Sequence, residues 1–492
     1  MNRTRCFLLL LSLLILQHIV YSTANALEES PNNGHGVNYD YLIEFGRDCV
    51  AEVRVLVRTW DSEARAWMLL PRLEKGFSTN ASLTKVEGAN LEGRRLALYV
   101  NVSLHLIRGT TAAFNYSLPH VCLVHRGKAV FLSPLMVFSP GGSGTVSVNV
   151  NWPGSSFAGA DAALSSVRRS DDGFGVTRRL PLLSGRLSFV FSVPEEELRE
   201  YVNGSLTFVL PERYSWIAER LTAFNSKLSG KLAELFQRKP SRLTVSLFLP
   251  DRYDEGPEGF VTPPNGDNTG RISLNLYLLR MVDGMLEVTF LHELIHQYLF
   301  ANGVGAGATW LHEGLATYLS VSLAMGTGLE APAYVRELFD RENASLQELR
   351  GLLGWRPGEE RGRRWYAMAY RAVELLFSAD SDGMRKAVSS LGDATVRTPE
   401  DAAVHVFDHL NAEGRSLMIE MGLVSAQGLA QEIGSEPMTP RNETPGSAVM
   451  NGTAQAVQGI PQTVTHEHLV LVLATVLTVS VIALILIDVR RT

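Results

Sequence analysis

Two short motifs contain the residue types that hold a catalytic metal ion. His292, Glu293 and His296 form the pattern H-E-x-x-H within an apolar run of helical period. Residues four apart share one face of a helix, so the two imidazoles can present nitrogen atoms to one zinc ion. Glu293 follows the first histidine and can reach a water on that ion. The pattern predicts metal-assisted hydrolysis.

Glu313 adds a carboxylate to this set. Sixteen residues separate it from His296, and large apolar residues recur at helical spacing around it: Leu311, Leu315, Tyr318 and Leu319. Two histidines and one glutamate leave a fourth zinc position open for water, as in catalytic sites. We therefore expect one Zn²⁺ ion held by His292, His296 and Glu313.

The second motif reads W-L-x-E-G-x-A-x-Y, from Trp310 to Tyr318. Together the two motifs resemble those of the gluzincin metallopeptidases, in particular the membrane alanyl aminopeptidases and the glycyl aminopeptidases. The resemblance covers about residues 206–425. It implies a thermolysin-like catalytic domain with His292, His296 and Glu313 as zinc ligands and Glu293 as the general base.

Hydrolysis also needs a donor for the developing oxyanion, and two tyrosines are candidates. The gluzincin aminopeptidases have a tyrosine three residues before a small residue in the corresponding helix, and Tyr366 with Ala369 matches that pattern. Tyr370 is the second choice. The alternative is that both are core residues, since aromatic residues at helical spacing usually are.

One departure from the resemblance concerns the substrate. The alanyl aminopeptidases carry a Gly-Ala-Met-Glu-Asn segment upstream of the metal helix, and its glutamate holds the free amine of the substrate. Residues 255–261 lack this segment, and Glu258 is a poor match for its glutamate. Endopeptidase and aminopeptidase action therefore both stay open.

Three further histidines lie in helical segments. His312 precedes Glu313 and points about 100° away from it on a helix, so we do not expect it to bind the same ion. The sequence leaves two alternatives for His312: contact with a zinc-binding residue, or a position in solvent. His405 and His409 are four residues apart but lack a nearby acidic base, which favours an ordinary helix face.

Both ends of the chain carry membrane-related patterns. Residues 1–26 resemble a signal peptide, with Arg3 and Arg5 before an apolar stretch and a small-x-small cleavage site at the end. Residues 469–487 contain no charge and are long enough to span hydrocarbon, and Arg490 and Arg491 follow. Because positive residues stay cytoplasmic, we predict a single-pass membrane protein whose N-terminal domains are extracellular.

Export agrees with the sequons and the cysteines. Seven N-x-S/T sequons follow the predicted signal peptide and indicate a glycosylated surface: Asn80, Asn101, Asn115, Asn203, Asn343, Asn442 and Asn451. Cys49 and Cys122 are the two cysteines left after cleavage. They form either a disulfide or two buried thiols.

The formal net charge is −6, and the short basic clusters lie beside glycines or acidic residues, so we expect no nucleic-acid partner. The predicted function is a membrane-anchored extracellular zinc metallopeptidase that acts on peptides or proteins. The alternative is a non-catalytic cell-surface binding or adhesion protein on a peptidase scaffold. The oligomeric state is not predicted.

The element pattern predicts an α+β fold. A β-rich, sandwich-like N-terminal domain (27–205) precedes the mainly helical, thermolysin-like catalytic domain (206–424), a flexible stalk (425–467), a transmembrane helix (468–488) and a cytoplasmic tail (489–492). A long amphipathic helix is predicted over 214–236, with strands at 243–249 and 271–276. We expect residues 271–276 to form a sheet edge that could pair with an extended peptide.

Overall fold

The computed structural model describes residues 36–71, 92–95, 99–108, 111–139, 142–180, 185–252, 256–264, 269–356 and 362–425. All of them belong to the first of the two units into which the chain divides, Met1–Glu432. The predicted signal peptide, transmembrane helix and tail, nearly all of the stalk, and Asn80, Asn442 and Asn451 lie outside these ranges. Within the ranges, no helix combines the length and apolar character needed to cross a membrane.

The N-terminal part is rich in sheet, as predicted. Its described strands are β1 (Val37–Phe45), β2 (Ala51–Thr59), β3 (Glu63–Pro71), β4 (Glu92–Arg95), β5 (Tyr99–Ile107), β6 (Thr111–Leu118), β7 (Cys122–His125), β8 (Lys128–Leu132), β9 (Ser143–Asn151), β10 (Ser156–Ala160), β11 (Ser166–Ser170), β12 (Gly173–Leu180) and β13 (Ser188–Ser192). They form three sheets with the orders β11-β12-β9-β1-β2-β6, β10-β13-β8-β7 and β3-β5-β4.

Alternation along the strands explains how these sheets pack. In β1, the residues Val37, Tyr39, Tyr41, Ile43 and Phe45 are buried, while the intervening positions are partly or fully exposed. The buried faces of all three sheets contribute to one apolar cluster, with Met68 and Phe131 among its members. The three sheets therefore share one apolar core.

Cys49 and Cys122 form a disulfide. Cys49 follows β1 and Cys122 begins β7, so the bond links the end of the six-stranded sheet to the four-stranded sheet. Of the two alternatives left by the sequence, the paired one is therefore observed.

The second part combines one mixed sheet with helices. Its strands are β14 (Leu198–Asn203), β15 (Leu206–Pro211), β16 (Arg242–Phe248), β17 (Gly259–Thr262) and β18 (Thr269–Asn275). Its described α-helices are α1 (Ser215–Leu235), α2 (Met285–Ala301), α3 (Thr309–Ala324), α4 (Ala331–Asp340), α5 (Arg363–Ala379), α6 (Ser381–Ser389), α7 (Pro399–His409) and α8 (Ala412–Glu420). The predicted helix over 214–236 is α1, and its apolar positions at helical spacing are buried.

The sheet of the second part begins earlier than the sequence pattern suggested. Strand β14 pairs with β15 through residues 198–211, and β15 continues into the parallel neighbours β16 and β18. The predicted boundary between residues 205 and 206 therefore falls in the turn of this hairpin. Periodicity could not reveal this, because a strand's sequence does not say which sheet it joins.

The prediction that residues 271–276 form a sheet edge was wrong. The strand order is β14-β15-β16-β18-β17, so β18 lies between β16 and β17. The edge next to it is β17, which pairs antiparallel with β18 from Gly259 opposite Leu274 to Thr262 opposite Arg271. A four-residue strand after a glycine-rich and proline-rich stretch gave no clear periodic signal.

Candidate metal centre

Helix α2 carries the H-E-x-x-H motif through the interior. Except for His292, Phe300 and Ala301, its residues are buried. Gln297 anchors the helix to the sheet, because its Nε2 donates to the carbonyls of Thr262 at 3.0 Å and Arg271 at 3.1 Å. These carbonyls belong to β17 and β18, so the edge strand lies directly against the motif.

Helices α2 and α3 bring the three predicted ligands together. The His292 Nε2 and His296 Nε2 atoms lie 3.0 Å apart, and Glu313 Oε2 lies 3.4 and 3.5 Å from them. Two ligands about 2.0–2.1 Å from a tetrahedral zinc ion lie about 3.3 Å from each other. The observed separations therefore match a single zinc ion in size.

The donor set itself also fits a cation. Glu313 Oε2 is buried and makes no hydrogen bond. Buried carboxylate oxygens are normally satisfied, so this atom calls for a positive partner. The side chains of His292 and Glu313 keep 19% and 16% of their surface exposed, which leaves one side of the cluster open to solvent. Among the residues that the structure describes, no other group of ligand side chains has this geometry.

The charged side chains of the cluster shift one another's pKa values. Burial alone would raise the pKa of Glu313, but the nearby charges of His296 and His292 outweigh it and hold the pKa well below its usual range. Burial opposes charge on His292 as well, yet Glu313, Glu293 and Glu258 raise its pKa. Burial raises the pKa of Glu293, and the two histidines only partly offset this. A raised pKa suits a carboxylate that must gain a proton during the reaction.

Glu293 faces the edge strand. It is buried at 5% exposure, and a Cβ added to Gly259 of β17 would lie 2.7 Å from its Oε1. Glu258 precedes Gly259 at a solvent-exposed position, and its charge acts on both His292 and Glu293. The strand therefore lies against the candidate general base.

Both imidazoles have partners on their far nitrogens. Thr317 Oγ1 lies 3.4 Å from His292 Nδ1, and His312 Nδ1 lies 3.2 Å from His296 Nδ1. His312 is buried, which excludes the solvated position, and burial together with the charge of His296 lowers its pKa to about 3. Sequence reasoning missed Thr317, although its position four residues after Glu313 on the same helix would have suggested it.

Helix α5 packs against α3 beside Glu313. A Cβ on Gly314 would lie 2.8 Å from the carbonyl oxygen of Ala369, so only glycine allows this approach. Tyr366 lies one turn before Ala369, is half-buried, and packs its ring edge-on against Trp355 with centroids 5.2 Å apart.

Tyr370 has a different environment. Its hydroxyl donates to Glu374 at 3.3 Å, and its ring contacts Tyr318 and Phe339. It thus belongs to the packing between helices.

His405 and His409 have local partners outside the candidate centre. His405 Nε2 contacts the carbonyl of Ala387 at 2.8 Å, and Ser390 Oγ lies 2.9 Å from His409 Nε2. Each histidine therefore uses its Nε2 in a local contact, which agrees with an ordinary helix face.

No protein-family model and no curated protein matches the chain. Among solved structures, the M1 zinc metallopeptidase from Deinococcus radiodurans is 18% identical, with 80% of this chain and 96% of that chain covered and a TM-score of 0.30. A mutant of that enzyme, solved with the substrate Tyr-Ser-Ala, is 17% identical, with coverages of 80% and 96% and a TM-score of 0.29. An aminopeptidase N family protein from Idiomarina loihiensis is 13% identical, with coverages of 81% and 78% and a TM-score of 0.35. The chain is similar to these proteins; the chemistry of its centre follows from the side chains described above.

Proposed function

We propose that this protein is a zinc-dependent metallopeptidase. The observation that carries the proposal is the triangle of His292 Nε2, His296 Nε2 and Glu313 Oε2, with sides of 3.0 to 3.5 Å and one face open to solvent. When bound there, zinc would supply a Lewis acid and lower the pKa of a coordinated water. A sheet packed against the helix that carries the H-E-x-x-H motif also supports a thermolysin-like domain.

The protein's own residues supply the proton transfers. Glu293 would accept a proton from the attacking water and deliver it to the leaving amine. Its burial favours the protonated form, so the carboxyl can hold the proton between these two steps. Tyr366 would donate from its hydroxyl to the developing oxyanion.

Strand β17 would hold an extended substrate. It is the edge of the sheet beside the centre, so its free backbone groups can pair with a peptide. Gly259 brings this edge against Glu293, which puts a paired peptide within reach of the general base.

Glu258 is the residue through which aminopeptidase action would operate. The residue as a whole is exposed, but its carboxyl group is desolvated, which raises its pKa, while His292 and Arg363 partly offset this effect. Its charge acts on His292 and Glu293 of the candidate centre, so a substrate's free amine bound there could meet it. A library of peptides with free and blocked N-termini distinguishes the modes: aminopeptidase action requires cleavage of free peptides only, and loss of that preference in Glu258→Gln.

The decisive experiment for the proposed function uses Glu293→Gln. This variant should retain one zinc ion per chain and lose peptide hydrolysis by roughly 10²–10⁴-fold, because an amide cannot accept the proton. A wild-type protein that contains zinc yet cleaves no peptide of a diverse library would support the alternative of a binding protein. A wild-type protein that binds no zinc would remove the basis of the proposal.

We further propose that the enzyme is anchored in the cell membrane by residues 468–488 and acts outside the cell. The uncharged stretch, the following arginines and the predicted signal peptide support this, and a disulfide suits an oxidising compartment. Asn203 and Asn343 are exposed and so are accessible to glycosylation. A C-terminal epitope detectable only after permeabilisation, with an N-glycosidase-sensitive mass, would support this topology. An epitope accessible on intact cells would exclude it.

A further inference from the structure

His312 lies between a predicted zinc ligand and the loop that joins α2 to α3. Its Nδ1 is 3.2 Å from His296 Nδ1, and its Nε2 is 3.3 Å from the carbonyl oxygen of Val304. The ring is 4% exposed and packs on Phe300 with centroids 4.8 Å apart. The imidazole is thus enclosed, and both of its nitrogens have protein partners.

The chemistry of these partners determines where the hydrogen atoms are. A carbonyl oxygen only accepts, so His312 Nε2 must carry hydrogen and donate to Val304. The Nδ1 of a neutral His312 is then an acceptor, and His296 Nδ1 must donate to it. His296 therefore keeps its hydrogen on Nδ1, which leaves the lone pair of Nε2 free on the side of Glu313.

The carbonyl at the end of this chain of hydrogen bonds is itself held in place. The amide of Val304 donates to Leu299 at 3.0 Å, and the amide of Gly305 donates to Val396 at 2.7 Å. The loop is therefore tied both to the end of α2 and to the segment before α7. A fixed acceptor at this point restricts the rotation of the His312 ring.

We propose that His312 is a positioning residue that selects the tautomer and ring orientation in which His296 binds zinc. The proposal rests on the proposed zinc centre. Metal-binding histidines usually donate their second nitrogen to a carboxylate, a carbonyl or water, and loss of that partner typically weakens metal binding about 10–100-fold. Here Nδ1 of His296 donates to the His312 imidazole, and this imidazole in turn donates to the carbonyl of Val304.

Two variants with the same number and branching of side-chain heavy atoms test the relay in the full-length protein. His312→Asn retains an oxygen that can accept from His296 Nδ1, whereas His312→Leu has no acceptor. Zinc affinity, measured by competition with a chelator, should fall about 10–100-fold in His312→Leu. His312→Asn should lie closer to the wild type. The visible absorption of the cobalt-substituted proteins should change in the leucine variant and be largely restored in the asparagine variant.

The control is His405→Leu, which removes another partly buried histidine that contacts a backbone carbonyl, that of Ala387. It should bind zinc as the wild type does. Thermal unfolding of all metal-free forms separates folding defects from metal binding. Equal zinc affinities of His312→Leu and His312→Asn would overturn the relay while leaving the zinc centre intact, whereas a wild type without zinc affinity would overturn the centre itself.

Discussion

The Cβ position of Gly259 lies 2.7 Å from Oε1 of Glu293, closer than real side chains tolerate. An edge strand and a buried carboxylate are thus in contact at a position where an added Cβ would force one of them to shift. This contact connects the proposed substrate-binding edge, β17, to the predicted general base, and it has a direct consequence for activity.

Gly259→Ala should reduce peptide hydrolysis while zinc content stays unchanged. The added methyl group must displace either the strand or the Glu293 carboxylate, and a displacement of about 1 Å at a catalytic group can cost about 10²-fold in rate. The measurement is kcat/KM together with zinc analysis. Gly230→Ala is the control, because nothing lies within 4 Å of a Cβ there. Full activity in Gly259→Ala would show that Glu293 does not need its observed position.

Tyr366→Phe and Tyr370→Phe should differ strongly. Removing one oxyanion donor typically lowers kcat about 10²–10³-fold, so Tyr366→Phe should show such a loss. Tyr370→Phe should retain nearly full activity and lose some stability, because its hydroxyl is engaged by Glu374. Steady-state kinetics on both variants decide between the tyrosines, and the reverse order of effects would assign the donor role to Tyr370.

His120 should make stability depend on pH. Burial, with Arg280 and Arg220 adding to it, lowers its pKa from 6.5 to about 4. The folded protein thus favours the neutral ring, so stability is fully present above pH 6.5 and is lost as the pH falls toward 4. The contribution reaches about 3 kcal/mol.

The variant for this measurement is His120→Asn. His120 has a φ of 53°, which asparagine adopts readily, so the backbone is preserved. The free energy of unfolding of the wild type, minus that of the variant, should decrease between pH 6.5 and 4. A difference that stays constant over this range would mean that His120 titrates normally in the folded state.

The Cys49–Cys122 bond should stabilise the N-terminal sheets. It closes a loop of 73 residues, for which the loss of chain entropy in the unfolded state gives about 4 kcal/mol. The double variant Cys49→Ser/Cys122→Ser should unfold at lower temperature and become insensitive to reductant, whereas the wild type should be destabilised by it. Identical unfolding of the wild type with and without reductant would contradict this.

Much of the candidate metal centre was predictable from local spacing. His292 and His296 share a face of α2 because they are four residues apart, and this holds in any helix. The direction of His312 away from the ion followed equally from the 100° turn per residue. What lay in that direction could not be inferred, since the contact with His296 depends on how α3 packs against α2.

The substrate edge was not predictable in the same way. Residues 271–276 and the strand β17 both have β character, but their order in the sheet depends on hydrogen bonds between segments distant in sequence. The assignment of Gly259 to the edge, and its contact with Glu293, therefore emerged only from the folded chain. The same holds for Tyr366 and Tyr370, whose sequence patterns are alike and whose surroundings differ.

By itself, the sequence determined the ligand types, the helices that carry them and the α+β class, because helical and strand periods depend on neighbouring residues. The tertiary structure alone decided the 3.0–3.5 Å triangle, the His312 relay, the disulfide and the edge strand. These features join atoms from different elements, so they arise from packing and strand order, which no local period encodes.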